Sequence, residues 1–286
     1  MVFVKFHKKC SGKRAISPVI STVIMTGAMI AILSVALVFA NDLLWSRVAE
    51  GEFDSSKQFM QSVGLQIDDV AWTAGRTETI SYASQYGDAM LEQDVLSYTV
   101  SVGTTEGTHD FLSSTGALMF NLPTYRYSIS DGYWSRLFPE EDESLILTGT
   151  SAPIARVFEV EKVPMTGGDY IRVVVAPSIR VLSSSINSSS TNTYYIRMYL
   201  PVLISGDSSG ISQSITLTGE SVQAYTLNNV EDITITVNFP SDDFNSDFFR
   251  FPGDNPFFLD FSTFYSEYDN VVLELYLSEV SVGFGV

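Results

Sequence analysis

An uncharged apolar stretch of 26 residues, 15–40, constrains this chain more than any other feature. A helix of that length reaches roughly 39 Å, whereas the hydrocarbon core of a bilayer is about 30 Å thick. A secretory signal has an apolar region of only about 7–15 residues, so this stretch is too long to be an ordinary cleaved signal. We therefore expect a transmembrane helix that stays in the mature protein.

Charge predicts the orientation of that helix. Residues 1–14 carry five of the 16 lysines and arginines and no acidic residue. The other 11 basic residues lie beyond the helix with all 33 acidic residues, which is a formal balance of −22. Because basic flanks stay on the cytoplasmic side, we expect the amino terminus inside and the acidic remainder outside. An exterior of this charge does not favour nucleic acid, whose binding needs clustered lysine and arginine.

The start of the apolar stretch resembles the class III signal of archaeal type IV pilin-like proteins. Lys13 and Arg14 are followed by Ala-Ile-Ser-Pro-Val-Ile at 15–20 and then by the uninterrupted apolar segment. The resemblance implies that a prepilin-type leader peptidase cuts between Arg14 and Ala15. It also implies that the mature helix packs with copies of itself or with other pilin-like subunits. Many pilins carry glutamate at the fifth mature position, which is Val19 here.

Small residues in the apolar stretch favour close approach of a second helix. Gly27 and Ala31 are four positions apart, and so are Ala36 and Ala40. In an apolar medium this spacing lets two helix backbones approach closely. Membrane helices are rich in small residues in any case, so the spacing alone leaves both interpretations open.

Residues 41–75 predict an amphipathic helical stalk. Apolar residues recur mostly every three or four positions, at Leu44, Val48, Phe59, Val63, Ile67 and Val70. Gly51 and Gly64 are the positions where such a stalk would bend or stop. Any single-pass protein needs a connector here, so the stalk does not by itself indicate a pilin.

Residues 76–286 predict a β-rich head outside the membrane. Segments rich in β-branched and aromatic residues, separated by Gly, Ser, Asp and Pro, lie at 79–82, 94–102, 170–175, 194–200, 214–218, 233–239 and 270–277. Many short strands without intervening helices predict an antiparallel sandwich or barrel, so the fold class is α+β. The serine-rich segment 183–193 is the expected surface loop or internal boundary, which leaves one or two domains open.

That serine-rich segment contains Asn187-Ser-Ser, the one Asn-x-Ser/Thr sequon in the sequence. An exposed loop on the outer side is a suitable acceptor for an N-linked glycan. We therefore predict Asn187 as a glycosylation site, although so short a motif also arises by chance.

The acidic segment 243–254 has spacing that partly fits a calcium loop. Asp243, Asn245 and Asp247 offer oxygen ligands at alternate positions, and Asp254 is at the twelfth position. However, Phe248 stands where such a loop needs glycine for its sharp turn. Because aspartate and asparagine also crowd into ordinary turns, we favour an aromatic-rich turn and predict no metal site.

The sequence gives little support for catalysis or for a cofactor. The histidines are His7 and His109, and the single cysteine, Cys10, lies in the predicted leader. His109 is expected in an exposed turn with no nucleophile motif beside it. The adjacent acids at 140–143 are typical of a solvated loop.

The sequence therefore favours a structural subunit of a type IV pilus-like surface filament, with an acidic head for adhesion or surface contact. The alternative is a single-pass anchored protein, or a minor pilin-like subunit, that binds an envelope partner without forming filaments. An exported enzyme is the least favoured class.

Overall fold

The computed structural model describes residues 18–123, 134–138, 145–149, 155–165, 168–189, 191–209, 213–241, 244–249 and 255–285. The chain divides into two compact units, residues 1–48 and 49–286. The predicted leader and its cleavage position between Arg14 and Ala15 lie outside the described residues.

One long helix, α1 (Pro18–Val70), has 53 residues. Proline is well placed in its first turn, where a backbone N–H would have no partner. The helix continues through Gly51 and Gly64, where the sequence predicts a weak point. Gly64 is buried, and tertiary packing there outweighs the ~1 kcal/mol that glycine costs a helix. After the helix ends, Gly75 adopts a φ of +81° in the turn that leads to the first strand.

The strands follow in the unit of residues 49–286. They are β1 (Thr77–Ser81), β2 (Asp88–Thr104), β3 (Gly107–Pro123), β4 (Trp134–Phe138), β5 (Ile146–Thr148), β6 (Ala155–Met165), β7 (Gly168–Pro177), β8 (Ile179–Asn187), β9 (Asn192–Ser208), β10 (Ser214–Leu227), β11 (Val230–Asn238), β12 (Phe257–Asp260) and β13 (Asn270–Phe284). A one-turn helix, α2 (Ser246–Phe249), and a 3-10 helix (Phe264–Ser266) lie between the last strands.

These strands form two sheets, which we call sheet 1 and sheet 2. Sheet 1 has the order β1-β10-β13-β9-β8-β5, and sheet 2 has the order β12-β11-β2-β3-β7-β6-β4. Most neighbours are antiparallel, as expected, but β13 with β9 and β5 with β8 are parallel. The α+β class with an antiparallel-rich β head is therefore confirmed.

Two hydrophobic clusters hold this unit together. The larger lies between the sheets and includes Val100 of β2, Met198 of β9, Ile235 of β11 and Leu273 of β13. The second lies under α1, whose residues Met60, Val63, Ile67 and Val70 are fully buried against Leu118, Phe120, Ile171, Val173, Ile215, Leu217, Val280 and Val282. Residues 49–70, which the sequence assigns to a stalk, thus pack as part of the β-rich unit.

The structure corrects two local predictions. His109 lies in β3, opposite Val102 of β2, and the hairpin turn is at 105–106. The segment 183–193 is no domain boundary, because β8 and β9 pair through it as a hairpin that ends at Asn187 and Asn192. In both places polar residues on the exposed face of a strand resemble a turn, because only one face of the strand is buried.

Strand length also differs from the prediction of many short strands. The strands β2, β3 and β9 each have 17 residues. In β3 the apolar part, 117–120, is buried, while most residues of 107–114 are exposed and polar. Apolar pattern reveals only the buried half of such a strand, since the exposed half is held by backbone pairing.

Candidate functional site

The amino-terminal segment of α1, 19–48, is the most unusual surface of the protein. Along 19–47 every residue is exposed, including large apolar side chains such as Ile32 at 69%, Leu37 at 69% and Phe39 at 71% exposure. Among the described residues, α1 is the one helix long and apolar enough to cross a membrane. Apolar surface on this scale needs lipid or other apolar helices around it.

Three hydroxyl groups of this segment form hydrogen bonds within the helix itself. The hydroxyl of Thr22 donates to the carbonyl of Val19 at 2.9 Å, and that of Thr26 donates to Thr22 at 2.8 Å. The hydroxyl of Ser34 donates to the carbonyl of Ile30 at 2.8 Å. Inside a bilayer an unsatisfied polar group costs several kcal/mol, so these bonds fit the segment to an apolar medium.

Trp45 lies just past the apolar part of the segment. Its ring N–H donates to the side-chain oxygen of Asn41 at 3.1 Å. An indole that is half apolar and half hydrogen-bonded is typical of the boundary between hydrocarbon and water. The position agrees with a membrane segment that ends near residue 40.

The predicted packing residues are open but do not share one face. A side chain added at Gly27 would meet nothing within 4 Å, and Ala31, Ala36 and Ala40 are exposed. At about 100° per residue, the nine positions between Gly27 and Ala36 rotate the helix by roughly 180°. Gly27 and Ala31 therefore lie on one side and Ala36 and Ala40 on the opposite side, which would suit two different neighbouring helices.

The predicted glycosylation residue, Asn187, is exposed at the end of β8. Its backbone pairs with Asn192, and the turn is closed by the N–H of Ser188, which donates to the carbonyl of Thr191 at 3.0 Å. Hairpin tips of this kind are accessible, so the geometry leaves the side-chain amide open to modification.

The suggested calcium spacing is only partly described. Asp243 and Asp254 lie outside the described residues. The side-chain oxygen of Asn245 accepts the N–H groups of Asp247 and Phe248, each at 3.0 Å. Asn245 thus caps the short helix α2, which is the ordinary role of asparagine before a helical turn. Among the described residues no group of three or more His, Cys, Asp or Glu side chains is placed to hold a metal ion.

Glu52 forms a site that the sequence did not reveal. Its Oε1 accepts the backbone N–H groups of Gln85 at 2.9 Å, Tyr86 at 3.0 Å and Gly87 at 3.3 Å. It also accepts the hydroxyl of Ser84. Charge-assisted bonds of this kind are stronger than neutral ones, so one carboxylate fastens the loop 84–87 to α1. The partners are mostly backbone amides about thirty residues away, so no motif signals them.

Aromatic residues pack beside this carboxylate and shape its surroundings. Phe59 of α1 lies 5.1 Å from Tyr82 and 6.0 Å from Phe120, measured between ring centroids. Burial raises the pKa of Tyr82, whose hydroxyl donates to Asp88 at 3.4 Å. Gly87 is required here, because a side chain would collide with the Phe120 ring. The cluster is structural, because it fixes residues 52–59 of α1 against the start of β2.

Comparisons with known proteins give no relative: no family model, no curated protein and no solved structure matches this chain.

Proposed function

We propose that this protein is a structural subunit of a pilus-like surface filament, anchored by α1 and exposing the β-rich head. The observation that carries the proposal is the fully exposed segment 19–47, whose residues 19–40 are apolar and uncharged. In this proposal the segment first spans the membrane with its amino terminus in the cytoplasm. During assembly it leaves the membrane and packs with the same segment of other copies in the filament core.

The exposed surface of the segment supports a role in which its environment changes. Residues 19–40 of this segment carry no charge and expose apolar side chains on all sides, and no described residue covers them. Lipid tails and the side chains of neighbouring apolar helices solvate such a surface about equally well, so the move from membrane to filament core costs little. The open positions Gly27 and Ala31 allow the close approach that such a core needs.

The resemblance of residues 13–20 to a class III signal supports filament assembly over a plain anchor. An ordinary anchor has no need of Ser17-Pro18 directly behind a basic pair. Removal of the basic leader would leave an apolar amino terminus, which can leave the membrane without dragging five positive charges through it.

The second candidate function is a single-pass surface protein, or a minor pilin-like subunit, that does not polymerise. Val19, at the position where many pilins carry glutamate, favours it. This candidate uses the same membrane segment and the same acidic head, so the two candidates differ in whether α1 ever packs against its own copies.

The test is a charge placed in the exposed segment. Ile32→Asp puts a carboxylate where the proposal requires an apolar contact, and we expect filaments to be lost from the cell surface. The matched control is Ile186→Asp, which makes the same change at an apolar side chain exposed by 54% on the β-rich unit. Surface filaments in the Ile32→Asp strain at the level of the control strain would contradict the proposal.

Because Ile32→Asp could also impair membrane insertion, a second variant is needed to separate filament assembly from insertion. Gly27→Leu keeps the segment apolar but places a large side chain at an open position. We expect this variant to enter the membrane normally and to lose filaments, since bulk at this position prevents close helix approach. Filaments at the parent level in the Gly27→Leu strain would contradict close helix packing at Gly27.

A further inference from the structure

Strand β3 has an open edge over half its length. It pairs with β2 from Gly107 to Asn121, but with β7 only from Leu118 to Pro123. No other strand of the described residues pairs with 107–114 on the side away from β2. In an antiparallel pair alternate residues direct N–H and C=O outward, so this free edge presents unused donors and acceptors.

The free edge lies against sheet 1. At one end the hydroxyl of Thr115 accepts the N–H of Leu203 in β9 at 2.9 Å. At the other end the ring of Phe111 packs on Tyr225 of β10, with 4.9 Å between centroids. Gly116 lies at the same end as Thr115, where a side chain would collide with the carbonyl of Glu92 in β2 at 2.6 Å and would lie 3.3 Å from the carbonyl of Leu203. Between these anchor points the edge borders a groove.

The floor of the groove is a part of sheet 1 that sheet 2 leaves uncovered. Two adjoining cavities of about 300 Å³ and about 520 Å³ lie on it and share Ile204. The apolar part of the floor is Val202, Ile204 and Leu277, and Leu112 on the rim is 73% exposed. A strand paired with the free edge would place every second side chain over this floor.

The groove is acidic. Its two cavities are lined by Asp207, Glu220 and Glu279, and no lysine or arginine is among their described lining residues. The hydroxyl of Ser281 donates to Glu220 at 2.6 Å, and that of Ser221 donates to Glu279 at 2.9 Å. These bonds hold both carboxylates in place on the floor, where they attract a cation.

We propose that this groove binds an extended, lysine-rich segment of a partner polypeptide, which joins sheet 2 as an added strand on the free edge of β3. Backbone pairing supplies affinity, and contacts of alternate side chains with the floor supply specificity. Apolar side chains of the partner lie over Leu277 and Ile204, and its lysines point toward Glu220 and Glu279. A second copy of this chain is a poor occupant of this groove, because beyond residue 40 its 11 lysines and arginines are scattered among 33 acidic residues and no segment is lysine-rich.

The test uses the full chain in neutral detergent micelles and a synthetic peptide of alternating lysine and valine, as long as the free edge. Binding is measured by fluorescence anisotropy, and amide hydrogen exchange by mass spectrometry. We expect binding that weakens with salt and slower exchange at 107–114. The same peptide with N-methyl groups on alternate residues keeps its charge but cannot pair, and we expect it to leave exchange at 107–114 unchanged.

Variants separate the floor from general attraction to an acidic protein. Glu220→Gln and Glu279→Gln each remove one exposed carboxylate from the groove, and we expect each to weaken binding by about fivefold. Glu267→Gln is the matched control, since it removes an exposed carboxylate outside the groove, and binding should stay unchanged.

Three results would overturn the proposal. The first is equal binding by a peptide of alternating glutamate and valine. The second is protection of 107–114 by the N-methylated peptide. The third is protection that rises with protein concentration in the absence of peptide, because the occupant would then be a second copy of this chain.

Discussion

The amide N–H of Tyr86 donates a hydrogen bond of 3.0 Å to Oε1 of Glu52, a residue 34 positions earlier in the chain. The same oxygen accepts two further amides and a hydroxyl from the loop 84–87. One carboxylate therefore joins α1 to the loop that begins the long hairpin of β2 and β3. Such a contact is a point where a single substitution should loosen the β-rich unit.

We expect Glu52→Gln to lower the free energy of unfolding by about 1–2 kcal/mol, because neutral acceptors bind amides about half as strongly as charged ones. Urea unfolding of the full chain in detergent measures the change. Glu106→Gln, at an exposed turn, removes the same charge and should change little. Equal effects of the two variants would show that the contact at Glu52 contributes nothing specific.

Ile67 and Leu65 lie two positions apart on α1 but differ completely in environment. Ile67 is fully buried, whereas Leu65 is 51% exposed. We expect Ile67→Ala to destabilise the protein by about 2–5 kcal/mol, since it leaves a cavity under the helix. Leu65→Ala should change stability by no more than about 0.5 kcal/mol. Similar losses for both would contradict the packing of α1 on the sheets, and the readout is the same urea titration.

Because Tyr82 is partly buried, we predict that the protein loses stability at alkaline pH. Burial raises its pKa in the folded protein above the ordinary value of 10.0. The folded state therefore holds this proton more tightly than the unfolded state, so the stabilisation is complete below pH 10 and is lost as pH rises through the folded pKa. We expect Tyr82→Phe to unfold less steeply with pH above about 10, and identical slopes for variant and parent would contradict the assignment.

We predict an N-linked glycan on Asn187, at the tip of the hairpin of β8 and β9. In cells that make the protein and glycosylate their surface proteins, we expect the peptide with Asn187 to carry a glycan mass that Asn187→Gln abolishes. Ser189→Ala should abolish it too, because it breaks the sequon and leaves Asn187 in place. Asn192→Gln, in the same hairpin, leaves the sequon intact and should keep the glycan. An unmodified Asn187 peptide from such cells would refute the prediction.

The sequence predicts those parts of the fold in which buried residues recur at a regular spacing along the chain. The apolar segment of α1 and the strand segments at 94–102, 233–239 and 270–277 were visible because apolar residues recur at regular spacing. None of β3 was predicted, because 107–114 is mostly polar and exposed and pairs through backbone groups of β2, while the apolar part 117–120 contains no β-branched residue. The parallel pairing of β9 with β13 also leaves no local mark, since it joins segments about eighty residues apart.

The candidate sites divide in the same way. The exposed apolar segment follows from composition, since 26 uncharged residues admit few environments. Glu52 and the groove beside β3 do not, because each depends on residues that only the fold brings together. Asn245 shows how spacing alone can mislead: it stands at a position that would suit a calcium ligand, whereas its oxygen caps a helical turn.

The central claim is that α1 leaves the membrane in a processed form and forms the core of a filament. The most direct measurement is peptide mass spectrometry on filaments sheared from cells that make the protein, searching for the amino-terminal peptide. The proposal predicts a peptide that begins at Ala15 in the sheared fraction. Absence of the protein from that fraction, with the full amount retained in membranes, would contradict it and favour the anchored, non-assembling protein.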